Sequence, residues 1–225
     1  MKILIAASQQ RYDFVADALK KKGLEILLIS TKEQLMPAVI ETPRPDYLFF
    51  LHWSWKIPAE IFTRFECVVF HMTDLPYGRG GSPLQNLIMR GHKHTMLSAL
   101  RCEEKLDAGP VYLKRQLELD GTAEEILRRA AALMPEMILE IVEKRVQPVE
   151  QQGEAVPFVR RRPEDGNLAD LDDPAKAFDT IRMLDGVGYP PAFLETEGLR
   201  LEFTNAVDQS DHVQASVRIT RKIAS

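Results

Sequence analysis

Four short apolar runs, residues 2–7, 24–29, 47–51 and 67–70, alternate with segments whose apolar residues recur at helical spacing. Strand, helix, strand, repeated in this way, is the pattern of a parallel sheet with helices wound across its faces. Residues 12–19 place Phe14, Val15, Ala18 and Leu19 at helical spacing and run into Lys20-Lys21-Lys22-Gly23, a basic last turn with a glycine stop. Residues 33–40 and 58–65 read as further helices, and the Pro43-Arg44-Pro45-Asp46 turn leads into the third strand.

The next helix, 82–90, has Ser82 as a cap, Pro83 at its first position and Gly91 at its end. Two strands, 95–101 and 111–117, then flank a loop that carries Asp107. Thr122-Ala123-Glu124-Glu125 is a capping box that opens a long helix reaching about Lys144, and Pro135 is expected to kink it. From Gln147 onward prolines, glycines and the acid-rich stretch 165–173 lead to a helix at 175–184 and short strands at 199–204 and 213–220. The expected architecture is α/β, a Rossmann-like wound sheet over residues 1–150 with a small β-containing accessory lobe over 151–225.

Composition narrows the function classes. No apolar stretch approaches the roughly 20 residues that span a bilayer, and the MKILIAAS start shows no cleavage site, so a cytoplasmic protein without a membrane partner is expected. The formal charge of −4 gives no general basic field, which argues against binding nucleic acid through its phosphates. Cys67 and Cys102 lie in or beside core strands and read as reduced thiols rather than a disulfide or a metal site. His92 and His94 lack a third clustered ligand, so no metal is expected.

The chemistry concentrates in two segments. HMTDLPYGRGGSPLQNLI places His71 at the end of an apolar run, where a buried strand delivers a side chain to a loop rim. The loop after it holds Pro76, Gly78, Gly80, Gly81 and Pro83, which lets main-chain groups approach a ligand closely. KLDAGPVY then sets Asp107 on a tight turn just before the next apolar run. A histidine titrates near neutrality and a neighbouring aspartate can orient it or favour its charged form. The competing reading is a histidine satisfied by backbone groups and an aspartate that only caps a turn. Gly78-Arg79-Gly80-Gly81 can also be read as a phosphate cradle, but it lacks the Lys-Ser/Thr of a P-loop.

Taken together, His71, Leu75-Pro76, Arg79-Gly80, Pro83 and the Asp107-Gly109 pair resemble the N-x-H-P-S-x-L-P…R-G…P and D-x-G pattern of the folate-dependent formyltransferases. The departures are Val69, where the family has an asparagine, and Met72-Thr73 in place of Pro-Ser. The HMTDLPYGRGGSPLQNL wording is similar to the sugar N-formyltransferases of the pseudaminic acid type. The resemblance implies 10-formyltetrahydrofolate as formyl donor and, as acceptor, the amine of a nucleotide-linked dideoxy amino sugar. Methionyl-tRNA or glycinamide ribonucleotide are alternative acceptors, and a non-catalytic folate- or nucleotide-sugar-binding protein is the rival outside enzymes.

On the same resemblance, His71 is the general base or oxyanion partner and Asp107 its orienter and proton relay. Trp55, Ile57, Leu75, Tyr77, Gly80 and Gly81 bound the folate site, although Trp53 and Trp55 can equally seal the sheet edge. Valine cannot give the formyl oxygen the hydrogen bond an asparagine gives. Compensation is therefore expected from a main-chain N–H, the Thr73 hydroxyl, an ordered water or Asn86. Arg160-Arg161-Arg162 and Tyr189 to Phe193 also resemble family elements, the first as a solvated or nucleotide-contacting face and the second as lobe packing. A homodimer stays open as an assembly.

Overall fold

The computed structural model describes residues 1–40, 44–209 and 211–222. In chain order the elements begin β1 (Lys2–Ala7), α1 (Asp13–Lys21), β2 (Glu25–Ile29), α2 (Lys32–Ile40), β3 (Tyr47–Leu51), α3 (Ala59–Phe62), β4 (Cys67–His71) and β5 (Tyr77–Gly80). They continue with α4 (Pro83–Met89), β6 (His94–Arg101), β7 (Val111–Glu118), α5 (Ala123–Lys144), β8 (Val156–Phe158), α6 (Pro174–Leu184), β9 (Ala192–Glu195), β10 (Leu199–Asp208) and β11 (Val213–Arg221). The turn read at 43–46 begins at Pro43, outside the described residues.

The chain forms two compact units. The first comprises Met1–Gly80, Thr95–Leu117 and Arg128–Pro157. Its six-stranded sheet has the order β2-β1-β3-β4-β6-β7. β1 pairs in parallel with β2 and β3, and β3 with β4. These strands are near-continuous apolar runs because both faces of the sheet are covered; Ile3, Leu4, Ile5, Leu48, Phe49 and Phe50 are all at most 1% exposed. α1 opens on Asp13 and closes on Lys20 and Lys21, charges that suit its dipole, and it buries Val15, Ala16 and Leu19. α5 runs from Ala123 to Lys144 with Pro135 inside it. Ala130, Met134, Met137, Ile138 and Ile141 form its buried stripe at helical spacing.

The strands read from the alternation, β1 to β4, are parallel to one another, and periodicity alone is blind to the direction of the strand that joins them next. β6 runs antiparallel to β4, with Val68 opposite Arg101 and His71 opposite Ser98, so the sheet is mixed rather than wholly parallel. The helix expected over 58–65 is also shorter, only the single turn Ala59–Phe62.

The second unit comprises Gly81–His94, Glu118–Leu127 and Phe158–Ser225. β9, β10 and β11 form an antiparallel sheet, with a bulge between Thr204 and Val207 where Asn205 takes φ 52°. Its buried Arg182 is paired with Asp179 and donates to the carbonyls of Leu119 and Gly121 at 2.7 and 3.0 Å, so its charge is not stranded. The capping box forms: Thr122 N donates to Glu125 Oε2 at 2.8 Å and Glu125 N to Thr122 Oγ1 at 3.3 Å. Ser82, by contrast, does not cap α4 with its side chain. It sits at φ 52° and its Oγ accepts from Arg161 N at 3.1 Å instead. Phe193 is buried under the Arg200 guanidinium, 3.8 Å from the ring centre.

Candidate active site

His71 is the last residue of β4 and lies almost fully inside the first unit, 7% exposed. Its Nε2 is 2.8 Å from the Gly78 carbonyl oxygen. A carbonyl can only accept, so Nε2 carries the proton and donates. Nδ1 is thereby the nitrogen left for chemistry, and it faces Asp107, with 3.6 Å to Oδ2. Gly78 can turn its carbonyl inward because it takes φ 79°, a conformation open to glycine. Thr73, fully buried, reaches the same carbonyl through Oγ1 at 3.5 Å, and the Ser98 hydroxyl on β6 holds the Thr73 carbonyl at 2.6 Å.

Asp107 reaches this place on the loop between β6 and β7. The loop is tight: Arg101 N donates to the Pro110 carbonyl at 2.9 Å, and Asp107 takes φ 52°. Its Oδ2 accepts from Gly80 N at 3.0 Å. One carboxylate oxygen is therefore shared between the glycine loop and the histidine. Both side chains are screened from solvent, at 8% and 9% exposure. At such a site a charge on one partner is felt strongly by the other. The nearby Cys102 thiol is pushed up to about 11, by burial first and then by the Asp107 charge. Burial raises the Cys67 thiol as well, and both cysteines are unpaired.

The other residues singled out from sequence distribute unevenly. Gly80 bonds Asp107 directly. Leu75, 2% exposed, lines a cavity of about 340 Å³ with Val111, Tyr112, Lys114, Val149 and Gln151. Tyr77 stands in β5, next in the loop. Gly81 belongs to the second unit, where a Cβ would lie 2.7 Å from Arg160 Cβ; glycine permits that approach. Ile57 and Trp53 pack onto the core cluster of Leu4, Leu48 and Phe50, and Trp55 stands edge-on to Trp53 at 4.8 Å. The Trp53 indole N–H is buried without a hydrogen-bond partner.

Val69 shares the sheet face of His71, two residues along β4, and is half-buried against the same core cluster. Asn86 Nδ2 donates within its own unit to the carbonyls of Gly81, Ser82 and Val159, at 3.2, 3.0 and 2.9 Å. The Thr73 hydroxyl is directed at Gly78. Two of the donors expected to stand in for an asparagine are thus engaged elsewhere.

His52, just past β3, is a half-buried titratable group. It takes φ 50°, its Nδ1 lies 3.1 Å from the Tyr12 hydroxyl, and its pKa is pushed down to about 4, by burial first and by Arg11 second. Its folded pKa lies below the unfolded one, so the unfolded chain binds more protons between the two values. The stability held by neutral His52 is complete above about pH 6.5 and is lost as pH falls toward about 4. Urea midpoints measured across that window should fall with acidification, and the slope should flatten in His52→Asn; an equal slope in both proteins would remove His52 as the cause.

Residues outside the sequence expectation also enter the site, above all Gln151, which bonds Arg79 and the Asp107 turn. No sequence signal marked it. Among the described residues no group of three His, Cys, Asp or Glu side chains can hold a metal, and no helix is long and apolar enough to cross a membrane.

Comparison with known proteins gives the following. The family model described as methionyl-tRNA formyltransferase, C-terminal domain, matches residues 163–220. A solved structure, methionyl-tRNA formyltransferase from Clostridium thermocellum, is 45% identical with a TM-score of 0.95, covering 99% of this chain and 100% of that one. A curated methionyl-tRNA formyltransferase of Methylococcus capsulatus is 34% identical over 102 residues, 44% of this chain and 33% of the relative. The chain spans less than two thirds of the length of the first curated relatives it matches. The formyltransferase PseJ from Anoxybacillus kamchatkensis, solved with UDP-4,6-dideoxy-4-formamido-L-AltNAc and tetrahydrofolate, shares the fold at 17% identity, TM-score 0.62, over 78% of this chain and 94% of that one.

Proposed function

The chain belongs to the formyltransferase family, and from that premise we propose that it moves a formyl group from 10-formyltetrahydrofolate to a primary amine. The observation that carries this reading is the nearly buried His71–Asp107 pair, with Nε2 committed to Gly78 and Nδ1 left to act. Nδ1 takes the proton that the attacking amine loses, the Asp107 carboxylate steadies the imidazolium that results, and the proton passes to the folate nitrogen as its bond to the formyl carbon breaks. Both groups are held from the main chain, so little reorganisation accompanies the step.

Formyltetrahydrofolate supplies the activated one-carbon unit. The cavity beside Leu75 has the volume range of a small-molecule pocket, and Leu75 would bound the folate there. Tyr77 and Gly80, and by the same resemblance Trp55 and Ile57, would contribute to the same binding. In role rather than in compactness, residues 1–150 would be the catalytic part and 151–225 the accessory lobe.

For the acceptor, the amine of methionyl-tRNA takes precedence over the amino sugar implied by the motif wording. The 45% identical structure and the matching family model both carry the methionyl-tRNA name, whereas the sugar enzyme is a distant fold relative. The expectation of no nucleic-acid partner, drawn from the charge of −4, stands against the names of these relatives. The amino-sugar acceptor remains the second reading, favoured by that charge. Incubation with 10-formyltetrahydrofolate and either methionyl-tRNA or a UDP-4-amino-4,6-dideoxy-N-acetylhexosamine, read by mass spectrometry, decides between them. Formylated methionine supports the first, formylated sugar the second, and neither product leaves another amine, such as that of glycinamide ribonucleotide, or a binding protein.

Val69 supplies no donor for the formyl oxygen, and Asn86 and Thr73 are engaged elsewhere. Val69→Asn is therefore expected to raise kcat about tenfold, part of the 100 to 1,000-fold that one such donor is worth. An unchanged kcat in a folded variant would show that a main-chain group or water already fills the role.

A further inference from the structure

Gln151 follows α5 on a strap fastened to β7, where Val111 and Val149 exchange backbone hydrogen bonds of 2.8 and 2.9 Å. Its Oε1 accepts from Arg79 Nε at 3.0 Å and Nη2 at 2.7 Å. Its Nε2 donates to the carbonyls of Asp107 at 2.9 Å and Gly109 at 2.8 Å. A carboxamide has two donor protons and two acceptor positions, and all are used. The orientation of the amide follows from its partners, because the opposite one would set NH₂ against a guanidinium and oxygen against two carbonyls.

These four bonds join segments far apart in sequence. Arg79 precedes Gly80, whose N–H holds the Asp107 carboxylate, while Gln151 itself holds the Asp107 main chain. Asp107 is thus fixed from both its side chain and its backbone, in a left-handed conformation that a non-glycine residue keeps only when its surroundings enforce it. We propose that Gln151 is a positioning residue that sets the separation and angle between Asp107 and His71. Its four hydrogen bonds go to Arg79, Asp107 and Gly109 rather than to His71, so it acts through Asp107. The geometric part stands on the bonds above; the part concerning rate rests on the formyl-transfer reading.

The test uses the full chain labelled with ¹⁵N-histidine, with Gln151→Glu and Gln151→Met. Glutamate keeps a partner for Arg79 but turns both donors into acceptors facing carbonyls, and methionine keeps the volume without any of the four bonds. His71→Gln assigns the ring signals, and Asp107→Asn supplies the reference for a His71 without its charged partner. In both Gln151 variants the His71 Nδ1 signal should move in the direction it moves in Asp107→Asn. Turnover with 10-formyltetrahydrofolate should lose about 10 to 100-fold in kcat, with a smaller change in KM for the donor, whose proposed cavity Gln151 also lines. Folded variants with unmoved His71 signals and unchanged kcat would overturn the proposal, as would failure of both variants to fold, since Gln151 would then be purely structural. If the parent formylates no amine, the functional reading falls, and the His71 signal alone decides the role of Gln151.

Discussion

His71→Gln is expected to lower kcat for formyl transfer by about 100 to 10,000-fold, the range over which a positioned acid or base contributes. The glutamine amide can still donate to the Gly78 carbonyl, so the loop keeps its anchor. What disappears is a basic nitrogen beside the Asp107 carboxylate. Asp107→Asn should produce a loss of similar size for a different reason. Asparagine oxygen still accepts from Gly80 N, yet it no longer offers a full charge to the imidazolium. Because the two groups act as a unit, the double variant should be little worse than either single one. Steady-state rates with near-parental melting curves would support this; multiplicative losses would mean that the two side chains act in separate steps.

Gly109→Ala is expected to be nearly as damaging without touching either side chain. An added Cβ would sit 2.1 Å from the Arg101 carbonyl oxygen, which is main chain and cannot swing aside. The same turn binds Gln151 through the Gly109 carbonyl and carries Asp107 two residues earlier. Opening the turn enough to admit a methyl group displaces the carboxylate, and a misplacement of about 1 Å in a reacting constellation costs on the order of 100-fold. Overpacking of this kind also destabilises by about 1–3 kcal/mol. Kinetics and denaturant melts together check it. A parental rate in Gly109→Ala would mean that the turn moves without carrying Asp107 with it.

The strands buried on both faces were the legible part of the sequence. β1 and β3 occupy the ranges read from their apolar runs, because a continuous run of strand length has few other uses. Tyr77–Gly80 reads only as a glycine loop in the sequence, since glycines give a short strand no alternation to detect. Ala192–Glu195 shows in the sequence only as packing near a proline pair, because its pairing with β10 depends on a distant partner. At the site, His71 and Asp107 could be singled out because each ends or precedes an apolar run. Gln151 could not, as a lone glutamine in a polar strap has no local pattern. Its role exists only once residues 44 positions away in sequence are folded against it. Ser82 does occupy the N-cap position of α4, but its hydroxyl accepts from Arg161 N instead of capping the helix, a partner that no local pattern reveals.

Each of the two units is drawn from three separated stretches of chain, so the sequence changes membership at Gly81, Thr95, Glu118, Arg128 and Phe158. A recombination event with a single breakpoint therefore cannot exchange one unit between relatives while leaving the other intact. Chimeras that keep both cores must swap interleaved blocks together, and substitutions that suit one partner's core will be inherited in widely spaced groups.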